Sequence, residues 1–207
     1  MRIHRRFFTE SPAGRYPFIA SRIPERAIRL LDVGNAGAGY SSHARLRQLV
    51  EERGGLVVGC DRSTALAVAE AHPRQVVGDA VRLPFPDFTF DVVYMGEVIE
   101  HLWSPRDGLQ EVHRVLKVGG RLLLDTPNVL SLSRIVNWWL RHLDEIGDPT
   151  HTFLFSPAVL GNLLSSGGFS ILEMHTDRKL QIGPMHVPWL LGRRRLGSHL
   201  LVVAERQ

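Results

Sequence analysis

From residue 28 onward, short apolar runs alternate with longer stretches of helical period. The runs at 28–33, 56–60, 75–77, 90–94 and 120–125 have strand length, and helices are expected between them at about 41–53, 64–71 and 105–117. Several runs are apolar throughout rather than alternating, as in strands covered on both faces of a parallel sheet. Right-handed crossovers turn such a series into a doubly wound α/β sheet, whose ligand crevice lies outside the carboxyl ends of the strands.

The pattern changes after residue 128. Residues 129–142 read as a helix, with Leu132, Val136, Trp139, Leu140 and Leu143 on one stripe. Trp138 and Trp139 are expected to pack against the fold; lining an acceptor pocket or touching a membrane surface are the alternatives. Ser156-Pro157 supplies an N-cap and a first-turn proline for a helix at 157–165, and Gly167-Gly168 end it. Strand candidates at 169–175 and 199–205 bracket a Pro/Gly/Arg-rich connection, too long for a tight hairpin and expected to be a substrate- or partner-facing flap. Before residue 28, Pro12, Gly14, Pro17 and Pro24 point to an irregular or partly helical lead-in. With no repeat and no linker composition, one domain over 1–207 is expected: a lead-in at 1–27, the sheet, and an acceptor-side region at 129–207.

Composition narrows the class. Hydrophobic residues at 44% and charged residues at 22% are globular values. No apolar run reaches the ~18 residues of a membrane span, and the basic N-terminus lacks the apolar stretch of a signal peptide. The single cysteine, Cys60, excludes an internal disulfide and a cysteine-based metal site, so a cytoplasmic setting is expected. A net charge of +4, with Arg193-Arg194-Arg195 read as solvated loop charge, does not call for nucleic acid. No DNA partner is expected, and RNA is a weaker alternative to a small-molecule acceptor. Monomer and homodimer both remain open.

The candidate chemistry starts at Leu30-Leu31-Asp32-Val33-Gly34-Asn35-Ala36-Gly37-Ala38-Gly39-Tyr40, an apolar strand, an acid and a glycine-rich turn. Bare backbone in such a turn suits close approach to a ligand. Asp61, at the end of the second run, is placed to accept ribose hydroxyls, although a helix N-cap would use the same residue. Those two features serve a nicotinamide dinucleotide as well as any other adenosyl ligand. Three further stretches follow in order: Val76-Val77-Gly78-Asp79-Ala80, then Leu83-Pro84-Phe85 with Phe90 to Leu102, then Leu109 to Leu122.

Taken together, these motifs resemble the class I S-adenosylmethionine (SAM)-dependent methyltransferases of the small-molecule type, strongly over about 28–128 and weakly over 148–169. The resemblance implies a mainly parallel seven-stranded sheet with an antiparallel last strand, and SAM as methyl donor. It implies that Asp32, Gly34, Gly37 and Gly39 surround the methionine end, Asp61 holds the ribose and Arg62 lies beside the adenine. Asp79 and Ala80 would read the adenine edge, and Gly96 and Glu97 would border the reactive end. The glycine turn departs from the family by one extra residue.

A sulfonium carries its own leaving group, so the protein has to align the nucleophile and exclude water, and an oxygen acceptor also needs a base or a metal. If Glu97-Val98-Ile99-Glu100-His101 turns helical, positions 97, 100 and 101 share a face. The motif is similar to the metal site of small-RNA 2′-O-methyltransferases and some ubiquinone-pathway O-methyltransferases, where His151 would complete the set. Metal-free methyltransferases carry the same stretch as a loop brace, so a divalent metal is an option rather than the expected reading. His101 and His151 are the candidate catalytic residues. The expected activity is methyl transfer to an oxygen of a small-molecule or glycan-type metabolite, with an RNA methyltransferase or a non-catalytic SAM-binding protein as alternatives.

Overall fold

Five parallel strands form the centre of the molecule in the order β3-β2-β1-β4-β5: β1 Arg29–Val33, β2 Leu56–Asp61, β3 Gln75–Val77, β4 Phe90–Gly96 and β5 Leu116–Pro127. Beyond β5 the sheet continues with the last strand, β9 (His199–Arg206), and then β6 (Phe169–Thr176). β9 is antiparallel to both of its neighbours, so the seven-stranded sheet with an inserted antiparallel last strand is present as expected. The computed structural model describes residues 15–26, 28–35, 41–64, 74–141, 148–177, 181–182, 185–186 and 196–207.

The sheet is covered on both faces. Neighbouring residues of one strand divide between two apolar clusters, as the two-residue period of a strand requires. Leu31, Val93, Leu122, Leu124 and Val202 go to one side, and Leu30, Val92, Leu123 and Val203 to the other. The second side is closed by Phe18 and Ile19 of α1 (Arg15–Ala20) and by Leu46 and Val50 of α2 (Ser41–Glu52). The first is closed by Leu109 and Val112 of α3 (Pro105–Val115) and by Leu160 and Leu164 of α5 (Pro157–Ser166). Both α3 and α5 begin as their sequences dictate: the hydroxyls of Ser104 and Ser156 accept the amides of Asp107 and Val159, and a proline opens each first turn.

Three expectations are amended. β5 starts at Leu116 rather than 120: Leu116 pairs with Phe90, Gly119 takes a positive φ of 71°, and the register resumes at Arg121 opposite Val92. The glycine pair is therefore a bulge within the strand rather than its boundary. The long connection after β6 carries two short antiparallel strands, β7 (Gln181–Ile182) and β8 (Met185–His186). The helix expected at 129–142 is α4 (Leu132–Arg141), and its tryptophans do not pack: Trp138 is 61% and Trp139 72% exposed. The reason lies at its entry, where the Val129 amide donates to Phe155, the Leu132 amide to Leu196 and the Arg134 amide to the Ser131 hydroxyl. That anchoring half-buries Leu132 and Val136 and turns the row 135, 138, 139 outward. Residue 143, the 193–195 arginines and the helix expected at 64–71, beyond Thr64, lie outside the described residues.

Candidate active site at the strand tips

The glycine turn leaves β1 at Gly34, whose φ of 75° favours glycine and whose missing Cβ leaves room for Val98; an added Cβ would lie 2.1 Å from the valine Cγ2. Gly37 and Gly39 lie outside the described residues. Asn35 anchors the start of the turn. Its side-chain amide exchanges two hydrogen bonds with Gln75 of β3, at 2.8 and 3.0 Å. Gly59 of β2 lies beneath this pair, and a Cβ there would come within 2.2 Å of both side-chain amides, so a larger residue would have to displace them. Asp32 is buried and faces His43 of α2 at 2.8 Å. Burial works against the imidazolium of His43, but the hydrogen bond and charge of Asp32 prevail and raise its pKa.

At the next two tips the acids sit beside sharp turns. Asp61 Oδ1 accepts the Ser63 amide at 2.7 Å, which orients the carboxylate at the end of β2. Asp79 accepts the Val81 amide at 3.1 Å, and Arg62 Nε stands 3.9 Å from its other oxygen. Asp61, Arg62 and Asp79 thus gather along one edge, with Ala80 buried behind them. The Leu83-Pro84-Phe85 motif and the Glu111 to Arg114 motif turn out to be one brace. Glu111 accepts the Leu83 amide, and the Arg114 guanidinium donates to the carbonyls of Leu83 and Phe85 and to the carboxylates of Asp87 and Glu111.

The tips of β4, β5 and β9 meet in a knot of charge. Glu97 follows Gly96 with a φ of 52°, a left-handed conformation that costs a non-glycine residue energy. This turn takes it out of register with the 3-10 turn Ile99–His101, so Glu97 does not share a face with Glu100 and His101 as the sequence spacing predicts. Its carboxylate instead meets Arg15 of α1 and His199 of β9, each at 2.8 Å. Arg15 also reaches Asp125 at 2.9 Å, and the Tyr94 hydroxyl donates to the other Asp125 oxygen at 2.8 Å. Gly96 leaves the space that this contact fills. His199 is backed by Asp177, whose carboxylate accepts from both the Ser198 hydroxyl and the His199 amide. Burial opposes both charges, but Asp177 and Glu97 raise the His199 pKa to about 9, while His199 and Arg15 lower that of Glu97 to about 2. Both groups are charged at neutral pH. Asp125, fully buried, has its pKa raised by desolvation.

Directly beside this knot lies a cluster of opposite character. Glu100 is buried; Thr126 donates to its Oε2 at 2.9 Å, but Oε1 has no hydrogen-bond partner among the described residues. The Glu100 carbonyl accepts the amides of Thr152 and Phe153 and the Thr152 hydroxyl, which draws the 150–153 segment across the 3-10 turn. That stitching brings the His151 ring to 4.7 Å from His101. His101 Nδ1 faces the carbonyl and hydroxyl oxygens of Thr150 at 3.2 and 3.0 Å, and that hydroxyl donates onward to Asp148. Both Thr150 oxygens can therefore only accept, so Nδ1 carries a proton, and the neutral form of the ring holds its lone pair on Nε2. His151 Nδ1 is buried without a partner among the described residues. One donor atom from each of Glu100, His101 and His151 lies within 4.8 Å of the others, a spacing that fits a cation held by oxygen and nitrogen. Desolvation raises the Glu100 pKa to about 7, whereas burial and then the His101 charge lower that of His151, which keeps it neutral at physiological pH.

Sequence reasoning found Glu100, His101 and His151 but missed Arg15, His43, Asp177 and His199. His199 reaches the crevice because β9 runs antiparallel and so delivers its first residue, not its last, to the tips of β1, β4 and β5.

The comparisons with known proteins agree with this geometry. A family profile described as "Methyltransferase domain" matches residues 31–124. The chain is 39% identical over 124 residues to a ubiquinone/menaquinone biosynthesis C-methyltransferase of Roseobacter denitrificans, covering 55% of this chain and 46% of that one. It is 38% identical over 171 residues to a malonyl-[acyl-carrier protein] O-methyltransferase of Coxiella burnetii, covering 77% and 56%. The chain spans about half the length of the curated relatives it matches. In fold it matches the crystal structure of an S-adenosylmethionine-dependent methyltransferase from Mesorhizobium loti, with a TM-score of 0.64 at 20% identity over 93% of this chain and 99% of that one. With its strand order, its ordered motifs and these relatives, the chain belongs to the class I SAM-dependent methyltransferases of the methyltransferase-domain family.

Proposed function

We propose that the protein transfers the methyl group of SAM to an oxygen of a small-molecule or glycan-type acceptor, with His151 as the base and His101 beside it. The observation that carries this reading is the Glu100–His101–His151 cluster, next to the strand tips and with two buried atoms that have no hydrogen-bond partner among the described residues. A base must be neutral before it acts, and the lowered pKa of His151 meets that condition. In this reading Asp61 and Asp79 hold the adenosyl end, and the closed charge knot around Glu97 gives the reactive end a fixed wall. When bound, the sulfonium supplies an activated methyl and its own leaving group. The chain's own residues align the acceptor, exclude water and take up its proton at His151.

The same donors fit a divalent cation. Glu100 through Oε1, His101 through Nε2 and His151 would hold it, and it would lower the pKa of an acceptor hydroxyl. Glu97 does not fit that set, because Arg15 and His199 occupy its carboxylate. The O-methyltransferase among the relatives supports an oxygen acceptor, while the C-methyltransferase keeps carbon as the competing reading. A cytoplasmic setting completes the proposal.

The test is calorimetric titration with SAM, followed by a labelled-methyl transfer screen across metabolite extracts. Asp61→Ala should weaken SAM binding by about 1.5–3 kcal/mol, as for a lost hydrogen bond to a charged group. No SAM binding by the wild type, or full affinity in the folded variant, sinks the cofactor assignment. Label found on carbon, or on RNA, sinks the acceptor assignment and leaves the cofactor assignment standing. Loss of turnover on chelation, restored by Mg²⁺ or Mn²⁺, would favour the metal-assisted form over the metal-free one.

A further inference from the structure

The solvent-facing row of α4 plays no part in the chemistry above. Trp138 and Trp139 stand largely in solvent, with Ile135 on the same side and Leu130 exposed just before the helix. Two adjacent exposed tryptophans are costly to leave in water, and the single exposed apolar residues elsewhere among the described residues do not form such a row. The helix is held firmly from behind. Asn128 donates to the Gly197 carbonyl and accepts the Leu130 amide, Ser131 caps the first turn, and the 128–132 segment bonds to both Phe155 and the 196–198 segment. The row is therefore a prepared surface on a fixed element.

Its composition decides what fits it. The helix, Leu-Ser-Arg-Ile-Val-Asn-Trp-Trp-Leu-Arg, has two arginines and no acid. An aromatic-apolar row on a helix whose sequence carries arginine and no acid, in a chain of net charge +4, complements a surface that is apolar inside and anionic outside. Tryptophan suits such a boundary, since its ring is apolar and its indole N–H can still bond to water or headgroups. A helix of ten residues is about 15 Å long, enough to lie in a headgroup layer and far too short to cross a membrane.

We propose that α4 docks this protein reversibly on an anionic lipid bilayer, with Trp138, Trp139 and Ile135 inserted at the headgroup level. Because α4 follows the tip of β5, docking turns the strand-tip edge of the molecule toward the lipid surface. The inference does not depend on which acceptor is methylated.

The experiment is co-sedimentation with phosphatidylcholine vesicles with and without 30% phosphatidylglycerol (about a third anionic, enough to set a surface potential), read alongside tryptophan emission. The wild type should bind the anionic vesicles roughly tenfold better than the neutral ones, with a blue-shifted emission and weakening in high salt. Trp138→Ala/Trp139→Ala should lose binding by about tenfold or more while keeping its SAM affinity, because both side chains are exposed. Val118→Ser, an equally exposed apolar change at the other end of β5, should bind as the wild type does. Absence of vesicle binding by the wild type overturns the proposal, as does undiminished binding by the double variant. A dimer that the double variant abolishes, without any vesicle binding, also overturns it and assigns the face to a second copy of the chain.

Discussion

Two groups of buried polar side chains lie next to each other at the strand tips and differ in one respect. Around Glu97 every charge is answered: Arg15, Asp125, His199 and Asp177 form a chain of ion pairs from α1 across β4 and β5 to β9. Around Glu100, burial is similar but Glu100 Oε1 and His151 Nδ1 have no hydrogen-bond partner among the described residues; Asp125 Oδ1 in the first group also lacks one, but it faces the Arg15 guanidinium at 2.9 Å. A buried polar atom with neither a hydrogen bond nor a facing charge costs about 1–3 kcal/mol, and two of them side by side at the strand tips mark a place where something else is bound or moved. Removing a member of the first group should thus lower stability, while removing a member of the second should lower turnover.

The largest effect expected is on catalysis. His151→Ala and His101→Ala should each reduce kcat by about 10²–10⁴ while leaving SAM affinity within about twofold, measured by methyl-transfer kinetics beside calorimetry. Wild-type activity in either variant would return that histidine to a bracing role. The pH profile sharpens the point. Glu100 and His151 both lose a proton as pH rises, so turnover should climb along an acid limb that is complete just above about 7. A flat profile between pH 5 and 8 would contradict this.

Next comes the knot. Arg15→Met leaves the buried Asp125 without its cation and Glu97 with His199 alone, and should cost roughly 1–3 kcal/mol in denaturant unfolding; Arg15 and Glu97 are about one-fifth exposed, so the full penalty of a deeply buried pair does not apply to them. Stability should also follow pH through the same residues. The His199 pKa is raised from 6.5 to about 9, so its contribution is whole below 6.5 and fades as pH rises through 9. The Glu97 pKa is lowered from 4.5 to about 2, so its contribution is whole above 4.5 and fades as pH falls toward 2. The joint contribution of these two residues should therefore be largest between about 4.5 and 6.5, and His199→Gln should flatten the alkaline side of the Tm curve. The smallest effect is the control: Trp103→Ala, at a residue 86% exposed, should change unfolding free energy by less than about 0.5 kcal/mol.

The sheet was readable from the chain because apolar runs such as Leu30-Leu31 and Val92-Val93 carry their own period, and capping serines and prolines mark where α3 and α5 begin. The acids at successive tips were readable because each sits at the end of an apolar run: Asp32 one residue before the end of β1, Asp61 as the last residue of β2 and Asp79 two residues past β3. Contacts between distant segments left no such local mark. Arg15 sits in a proline-rich lead-in that gives no hint of a partner, and His199 is assigned to the crevice only once the neighbours of β9 are known. Glu97 misled for a different reason: helical spacing relates it to Glu100, but a single left-handed residue removes it from that row. Trp139 misled because its stripe has the right period, while the direction of α4 is decided by hydrogen bonds at its entry.

The insertion of β9 has a consequence for the order of assembly. β5 and β6 share no ladder of their own and are joined only through β9, which emerges from a ribosome after both of them. Until that segment arrives the sheet has an open slot, Glu97 lacks its imidazole, and the neighbouring reactive cluster has an unfinished wall. Pulse-labelled amide exchange during refolding should find β1 and β4 protected before β5 and β6, with competence to hold a ligand gained in the last step.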